Sequence, residues 1–169
     1  YLYNQLLNFR EGRRHYGLMN DLLDPLSDAY LNELAGYFAQ LQLPYPPPQA
    51  AALPAAALAR GRTLVLQGDP TRRLPACVQC HGEKLTGVQP FIPGLLGLPR
   101  DYLNGQLGAW RSGQRRAVAP DCMAHIARQL KEDEINAVSH WLAAQSPPAG
   151  AKPAAALPAA LPIECGGLQ

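Results

Sequence analysis

The chain has 169 residues, of which 47% are hydrophobic, and its formal net charge at pH 7 is +2. This length allows one or two small domains, and this share of apolar residues is enough for a packed core. A net charge so near zero argues against nucleic acid as a partner. The alanine-rich stretches at 50–60 and 153–161 are broken by prolines, so we expect no membrane-spanning helix in this chain.

Residues 1–41 repeat the pattern of residues 102–145. A repeat of this kind predicts two copies of one structural unit. Residues 54–101 have no counterpart before the first copy, so we expect residues 1–43 to be the C-terminal half of a domain that begins upstream. A half-domain that stands alone is the other interpretation. The matched pairs are Tyr1 with Tyr102, Gln5 with Gln106, Phe9 with Trp110, Gly12 with Gly113, Met19 with Met123, Leu31 with Ile135, and Tyr37 with Trp141.

A proline-rich segment separates the two copies. The run from Leu43 to Gln49 contains four prolines, which cannot continue a helix and favour an extended polyproline conformation. We therefore predict a linker at residues 44–53 and a complete domain at residues 54–146. A second stretch rich in proline and alanine, residues 147–169, is predicted to be a C-terminal tail.

Helical periodicity recurs along the chain, and no alternating strand pattern competes with it, so the predicted fold class is all-α. Three of the predicted helices are residues 29–41 with Ser27 as N-cap, residues 55–67 before Gly68, and residues 100–112 before Gly113. A last helix is predicted to begin in the acidic turn Glu132 to Glu134 and to carry Ile135, Val138 and Trp141 on one face.

The segment from Cys77 to His81 reads Cys-Val-Gln-Cys-His, the spacing of a site for covalent haem c. Two thiols separated by two residues reach the two vinyl-derived carbons on one edge of a porphyrin, and the following histidine then lies beneath the iron. We therefore predict one haem c bound at Cys77 and Cys80, with His81 as an axial ligand of the iron.

Two other kinds of site use closely spaced cysteines. A zinc site needs a second ligand pair, and the remaining candidates, Cys122, His125, His140 and Cys165, form no second compact motif. His140 is expected on the surface or at an edge of the last helix. A redox-active dithiol needs a strand followed by a helix, which is not predicted here.

Met123 is the predicted second axial ligand. Met19 and Met123 are the two methionines of the chain, and their equivalent places in the repeat argue against an ordinary core role. Methionine opposite histidine raises the reduction potential and leaves no open coordination position, which suits electron transfer. His125 and Cys122 are alternative ligands. If Met123 binds iron, Met19 is predicted to bind a second haem whose attachment motif lies upstream.

Together these features resemble the class I cytochromes c, specifically the two-haem, two-domain bacterial members. The resemblance covers residues 1–145 and includes the segment from Tyr102 to Leu107. It implies an all-α class I cytochrome c fold, with one complete haem domain preceded by the C-terminal half of a second. It also implies that an early helix crosses the last one at Gly61 and Trp141, and that the carbonyl of Pro93 accepts a hydrogen bond from His81.

Cys122 and Cys165 are predicted to form a disulfide or to remain two free thiols. An oxidising compartment favours the disulfide. Such a bond would pin the proline-rich tail across the loop before Met123. It would close a ring of about 44 residues, worth roughly 4 kcal/mol on the chain-entropy model.

The resemblance implies a periplasmic electron carrier rather than an enzyme. Its partners would be redox proteins, with a dehydrogenase or quinol-oxidising donor and an oxidase or another cytochrome as acceptor. It is expected either to circulate or to be the cytochrome subunit of a dehydrogenase complex, with association to a membrane complex left open. The chain begins at Tyr1 without a leader, so we expect that any signal peptide has been removed.

A haem enzyme is the alternative function, either a peroxidase or a thiosulfate-oxidising cytochrome. Either would need an open iron or an unusual ligand such as Cys122. Arg111, Arg115 and Arg116 either rim a docking surface for the redox partner or form an ordinary solvated face.

Overall fold

The computed structural model describes residues 1–42 and 44–168. Leu43 and Gln169, the last residues of the predicted half-domain and of the predicted tail, lie outside the described residues. The described helices are Leu2–Arg10 (α1), Gly17–Leu23 (α2), Asp28–Gln40 (α3), Ala55–Leu66 (α4), Cys77–His81 (α5), Arg100–Ser112 (α6), Cys122–Gln129 (α7) and Glu132–Ala143 (α8), with a short 3-10 helix at Pro70–Arg72.

The predicted all-α fold is confirmed, with one small addition. Gly87–Val88 (β1) and Ile92–Pro93 (β2) form an antiparallel ladder in which Gly87 lies opposite Pro93. Strands of two residues are too short to leave an alternating pattern in the sequence. No helix of the described residues is long and apolar enough to cross a membrane.

The helices follow the repeat that the sequence predicts. In the first copy α1 packs against α2 and α3, and in the second copy α6 packs against α7 and α8. Phe9, Leu23 and Leu31 are the buried centre of the first unit. The second unit has a larger core, because α4 and α5 add to it and α4 packs along α8.

The predicted helix ends are close to the observed ones. The Ser27 hydroxyl accepts a hydrogen bond from the backbone N–H of Tyr30 at 3.3 Å and caps α3. Gly113 ends α6 with φ of 82°, a left-handed conformation that favours glycine. Helix α4 ends at Leu66, one residue before the predicted end.

Helix α4 crosses α8 at Gly61, where a Cβ atom would collide with the backbone carbonyl of Ala137. This close approach lies one helical turn before Trp141. The absence of a side chain at Gly61 lets the two backbones meet, and the crossing brings the front of the second unit against its last helix.

The two copies of the repeat meet through equivalent residues. The backbones of Arg14 and Arg115 pair as an antiparallel bridge. The Arg115 guanidinium donates to the side-chain oxygens of Gln106 and Gln5, and the Arg14 guanidinium donates to the same two oxygens. Each arginine also reaches the tyrosine hydroxyl of the other copy at 3.3 Å, Arg14 that of Tyr102 and Arg115 that of Tyr1.

This exchange of matching contacts is the pattern of an interface with two-fold symmetry. The Arg115 guanidinium lies 3.7 Å from the centre of the Trp110 ring, and Arg14 lies 4.4 Å from that of Phe9. Arg115 is buried, with 5% of its surface exposed. The expectation that Arg115 lies on an exposed face or rim is therefore wrong, because its guanidinium serves the contact between the two copies.

Arg115→Lys should lower the free energy of unfolding by about 2 kcal/mol, because an ammonium cannot bond both glutamines while stacking on an indole. Denaturant unfolding of the haem-loaded chain measures the loss. Arg111→Lys is the matched control, since its ion pair with Glu132 is exposed and should be worth less than about 1 kcal/mol. Equal losses in the two variants would contradict the role given to Arg115.

A buried carboxylate joins the front of the second unit to α8. Glu134 accepts hydrogen bonds from Arg60 at 2.7 Å and from Arg72 at 2.8 Å, and both arginines also bond Asp69. Burial alone would raise the pKa of Glu134, but the bonds from Arg72, the backbone N–H of Lys131 and Arg60 outweigh it and lower the pKa to about 2. The network is therefore charged at neutral pH.

The pKa of Glu134 predicts an acid-dependent loss of stability. Because the folded-state pKa lies below the ordinary 4.5, the stabilisation is present above that pH and is lost as the pH falls towards 2. The loss should reach up to about 3 kcal/mol. Thermal unfolding from pH 6 down to pH 2.5 should show a shallower decline in Glu134→Gln, whereas the exposed control Glu132→Gln should follow the parent chain.

The predicted linker, residues 44–53, lies along the second unit. The backbone N–H of Gln49 donates to the Ala143 carbonyl at 2.8 Å, and that of Ala52 donates to His140 Nδ1 at 3.3 Å. His140 is buried, with 7% of its surface exposed. Its expected place on the surface is wrong because the linker covers it.

The predicted disulfide is confirmed: Cys122 and Cys165 are bonded, with their Cα atoms 5.1 Å apart. The bond joins the end of the tail to the first residue of α7.

Candidate functional site

The two motif cysteines and the motif histidine lie on α5, a helix of five residues. The side chain of Gln79 accepts a hydrogen bond from the backbone N–H of Ala76 at 2.8 Å and closes the first turn. Gly82 ends the helix with φ of 83°. Residues three and four apart share a helix face, so this turn sets Cys80 and His81 beside the side chain of Cys77.

His81 is buried, and one of its ring nitrogens is already committed. Nδ1 lies 2.8 Å from the carbonyl oxygen of Pro93. A carbonyl can only accept, so Nδ1 carries the proton and Nε2 keeps its lone pair. Burial lowers the pKa of His81, with the Pro93 carbonyl opposing it. The neutral ring that results is the form that binds iron.

A cavity of about 300 Å³ opens beside this ring. Cys80, His81 and Pro93 line it from α5 and the β ladder, and Met123 lines it from α7. Cys77 is not among the lining residues; its side chain packs against the core of the second unit. The structure thus brings four of the five predicted site residues to one cavity.

The alternative ligands are less well placed than Met123. Cys122 lines the cavity, but its sulfur is bonded to Cys165. His125 is exposed, and its Nε2 lies 2.8 Å from the side-chain nitrogen of Gln129. Met123 as the axial ligand stays a prediction, which these positions favour.

Met19 lies at the equivalent place in the first copy. It is the third residue of α2 and packs against the core formed by Phe9, Leu23 and Leu31. No second attachment motif lies near it in residues 1–42. Its role as a ligand of another haem stays a prediction.

The motif thiols are unsuited to redox chemistry. Burial raises the pKa of Cys77 to about 12, and burial also raises the pKa of Cys80. Reactive dithiols need a lowered pKa, because the thiolate is the nucleophile. A zinc site also lacks support, since residues 1–42 and 44–168 contain no cluster of three or more cysteine, histidine or acidic side chains placed to hold a metal ion.

The cavity fits a haem with carboxylate groups. Its wall contains the indole of Trp110, whose Nε1 is buried and has no hydrogen-bond partner among the described residues. Arg13 and Arg115 line the same cavity, and most of the remaining wall is apolar. An apolar cavity with an unpartnered donor, two cations and a neutral histidine matches the chemistry of this group.

The family model for cytochrome c matches residues 58–146. The chain belongs to the cytochrome c family. Its segment from Cys77 to His81 is accordingly the attachment site of a covalent haem c in this cytochrome.

Two bacterial relatives are described as thiosulfate dehydrogenase electron acceptors. The protein of Thiomonas intermedia (strain K12) is 36% identical over 146 residues, which are 86% of this chain and 66% of the relative. That of Stutzerimonas stutzeri (strain A1501) is 37% identical over 145 residues, 85% of this chain and 65% of the relative. This cytochrome thus spans just under two thirds of their length.

Solved structures agree with the fold. A thiosulfate dehydrogenase of Marichromatium purpuratum superposes with a TM-score of 0.75 and 33% identity, over 85% of this chain and 30% of that one. Reduced cytochrome c4 of Pseudomonas stutzeri gives 0.71 and 26% identity, over 86% and 80% of the two chains. The class I cytochrome c fold implied by the sequence is confirmed.

Two parts of the cavity wall were not expected from the sequence. Asn8 and Arg13, from the first copy, line it, as do Leu161, Ile163 and Leu168 of the tail. The tail is otherwise rich in alanine and proline. Large apolar residues close to Cys165 were the signal in the sequence that it packs against the rest of the protein.

Proposed function

We propose that this cytochrome relays single electrons through a haem held covalently by Cys77 and Cys80, with His81 and Met123 as axial ligands. The observation that carries the proposal is that His81 and Met123, from two different helices, line the same cavity. When bound, the haem supplies a one-electron couple at its iron. Two protein ligands leave no position for a substrate, which favours electron transfer over catalysis.

The protein's own residues orient the iron ligand and set the surroundings of the iron. Pro93 holds the His81 ring through Nδ1 and so directs Nε2 into the cavity. The apolar wall would favour the less charged state of the iron centre. Cys77 and Cys80 lie on one turn of helix, where Cys80 lines the cavity and Cys77 packs against the core of the second unit.

The donor we propose is a thiosulfate dehydrogenase, and the location is the bacterial periplasm. The support is similarity to two relatives described as electron acceptors of that enzyme. The Cys122–Cys165 disulfide agrees with an oxidising compartment. The acceptor is proposed to be an oxidase or another cytochrome.

We also propose a second haem in the intact protein, with Met19 as a ligand. Tyr37 and Phe38 of α3 are 62% and 57% exposed, whereas Leu142, the counterpart of Phe38 on α8, is 2% exposed. In the second unit α4 packs on α8. An upstream segment equivalent to residues 54–101 would cover the exposed face of α3 in the same way.

Met123→Ala should remove the weak red-end absorption band of ferric haem bound to methionine sulfur. Loss of the sulfur also lowers the reduction potential, so reduction of the haem by thiosulfate and its dehydrogenase should become slower and less complete. Absorption spectroscopy and rapid mixing measure the two effects.

Met19→Ala in this chain is the control for Met123→Ala, and it should leave both the band and the reduction rate of the Cys77-linked haem unchanged. A parent chain without the red-end band would exclude ligation by Met123. A parent chain that has the band but is not reduced would exclude this donor alone.

If the intact protein binds a second haem, we expect two haems per chain when the gene is expressed with its upstream region. Haem quantification against protein concentration measures this ratio. One haem per chain would mean that the first unit serves only as a docking or structural module.

A further inference from the structure

We propose that the tail segment 151–168 is a strap that holds the loop before Met123 in place and closes one side of the haem cavity. The inference rests on the proposed ligation by His81 and Met123. It assigns Cys165 and Gly166 as positioning residues for Met123. They act on the loop that leads to Met123 and not on the iron itself.

The strap is first attached beside the β ladder. Ala154 pairs with β1, because its N–H donates to the Gly87 carbonyl at 2.9 Å and its carbonyl accepts from the N–H of Gln89 at 2.8 Å. The Thr86 hydroxyl adds a bond to the Lys152 carbonyl at 2.9 Å. This ladder also contains Pro93, the partner of His81, so the strap begins on the histidine side of the cavity.

The strap is attached again at the loop that leads to Met123. Cys165 is bonded to Cys122, the residue before Met123, and the N–H of Gly166 donates to the Pro120 carbonyl at 2.9 Å. Gly166 lies so close to the carbonyls of Val118 and Ala119 that a Cβ atom would collide with them. Between the two attachments, Leu161 and Ile163 line the cavity.

Asp121 connects the loop to α7. Its two carboxylate oxygens accept from the N–H of Ala117 at 2.6 Å and from that of Ala124 at 2.9 Å. The loop and the first turn of α7, which contains Met123, therefore move as one piece. Since the strap is bonded to this piece at Cys122 and Pro120, releasing the strap should make it easier for Met123 to leave the iron.

Imidazole added to the ferric, haem-loaded chain measures this directly, because it binds iron only where Met123 has left. Apparent affinity rises in proportion to the population of the open state. Gly166→Ala should push the strap off the loop with the disulfide intact, and should tighten imidazole binding about tenfold, equal to about 1.4 kcal/mol. Gly105→Ala, on α6 and outside the strap, is the control, since a Cβ there meets nothing within 4 Å, and it should leave imidazole binding unchanged.

A second variant removes the covalent attachment. Cys122→Ser combined with Cys165→Ser leaves no thiol to compete for the iron, and should tighten imidazole binding at least as much as Gly166→Ala. This variant should also make residues 151–168 susceptible to proteolysis. Proteolysis is a measurement that does not depend on the haem.

The outcomes separate the strap from the proposed function. Unchanged imidazole affinity in the double serine variant, with the red-end band present in the parent chain, would overturn the strap and leave the electron relay intact. Equal effects of Gly166→Ala and Gly105→Ala would also overturn it. A parent chain without the band would instead overturn the ligation by Met123.

Discussion

The hydrogen bond between His81 Nδ1 and the Pro93 carbonyl is the interaction on which the site depends. It fixes the tautomer of a buried histidine and ties α5 to the short β ladder. The same ladder pairs with Ala154 of the tail, and the tail ends in the disulfide beside Met123. A continuous set of contacts therefore runs from one predicted iron ligand to the other.

The boundary between the two copies of the repeat supplies the rest of the cavity. Arg14 and Arg115 share Gln5 and Gln106, and Arg115 stacks on Trp110, whose indole nitrogen has no hydrogen-bond partner among the described residues. The first unit thus contributes to the wall of the cavity beside His81. A change at this boundary should affect both stability and the electrostatic surroundings of the iron.

Burial decides what the site does chemically. It keeps the motif thiols protonated, with the pKa of Cys77 at about 12, and it keeps His81 neutral. Both conditions disfavour a dithiol enzyme and favour a covalently held, protein-ligated haem. Glu134 is also buried, but its carboxylate is satisfied by hydrogen bonds from Arg60 and Arg72 and secures α8 rather than serving the cavity.

The sequence by itself determined the attachment motif, the repeat and the helical fold, and it favoured a Cys122–Cys165 disulfide over two free thiols. These rest on local spacing and periodicity, and on having two cysteines left over in a chain suited to an oxidising compartment. Only the tertiary structure showed that Arg115 is buried, that the linker covers His140, and that Leu161 and Ile163 line the cavity. Such contacts join residues far apart in the chain, and a residue's type and immediate neighbours do not specify which distant surface will cover it.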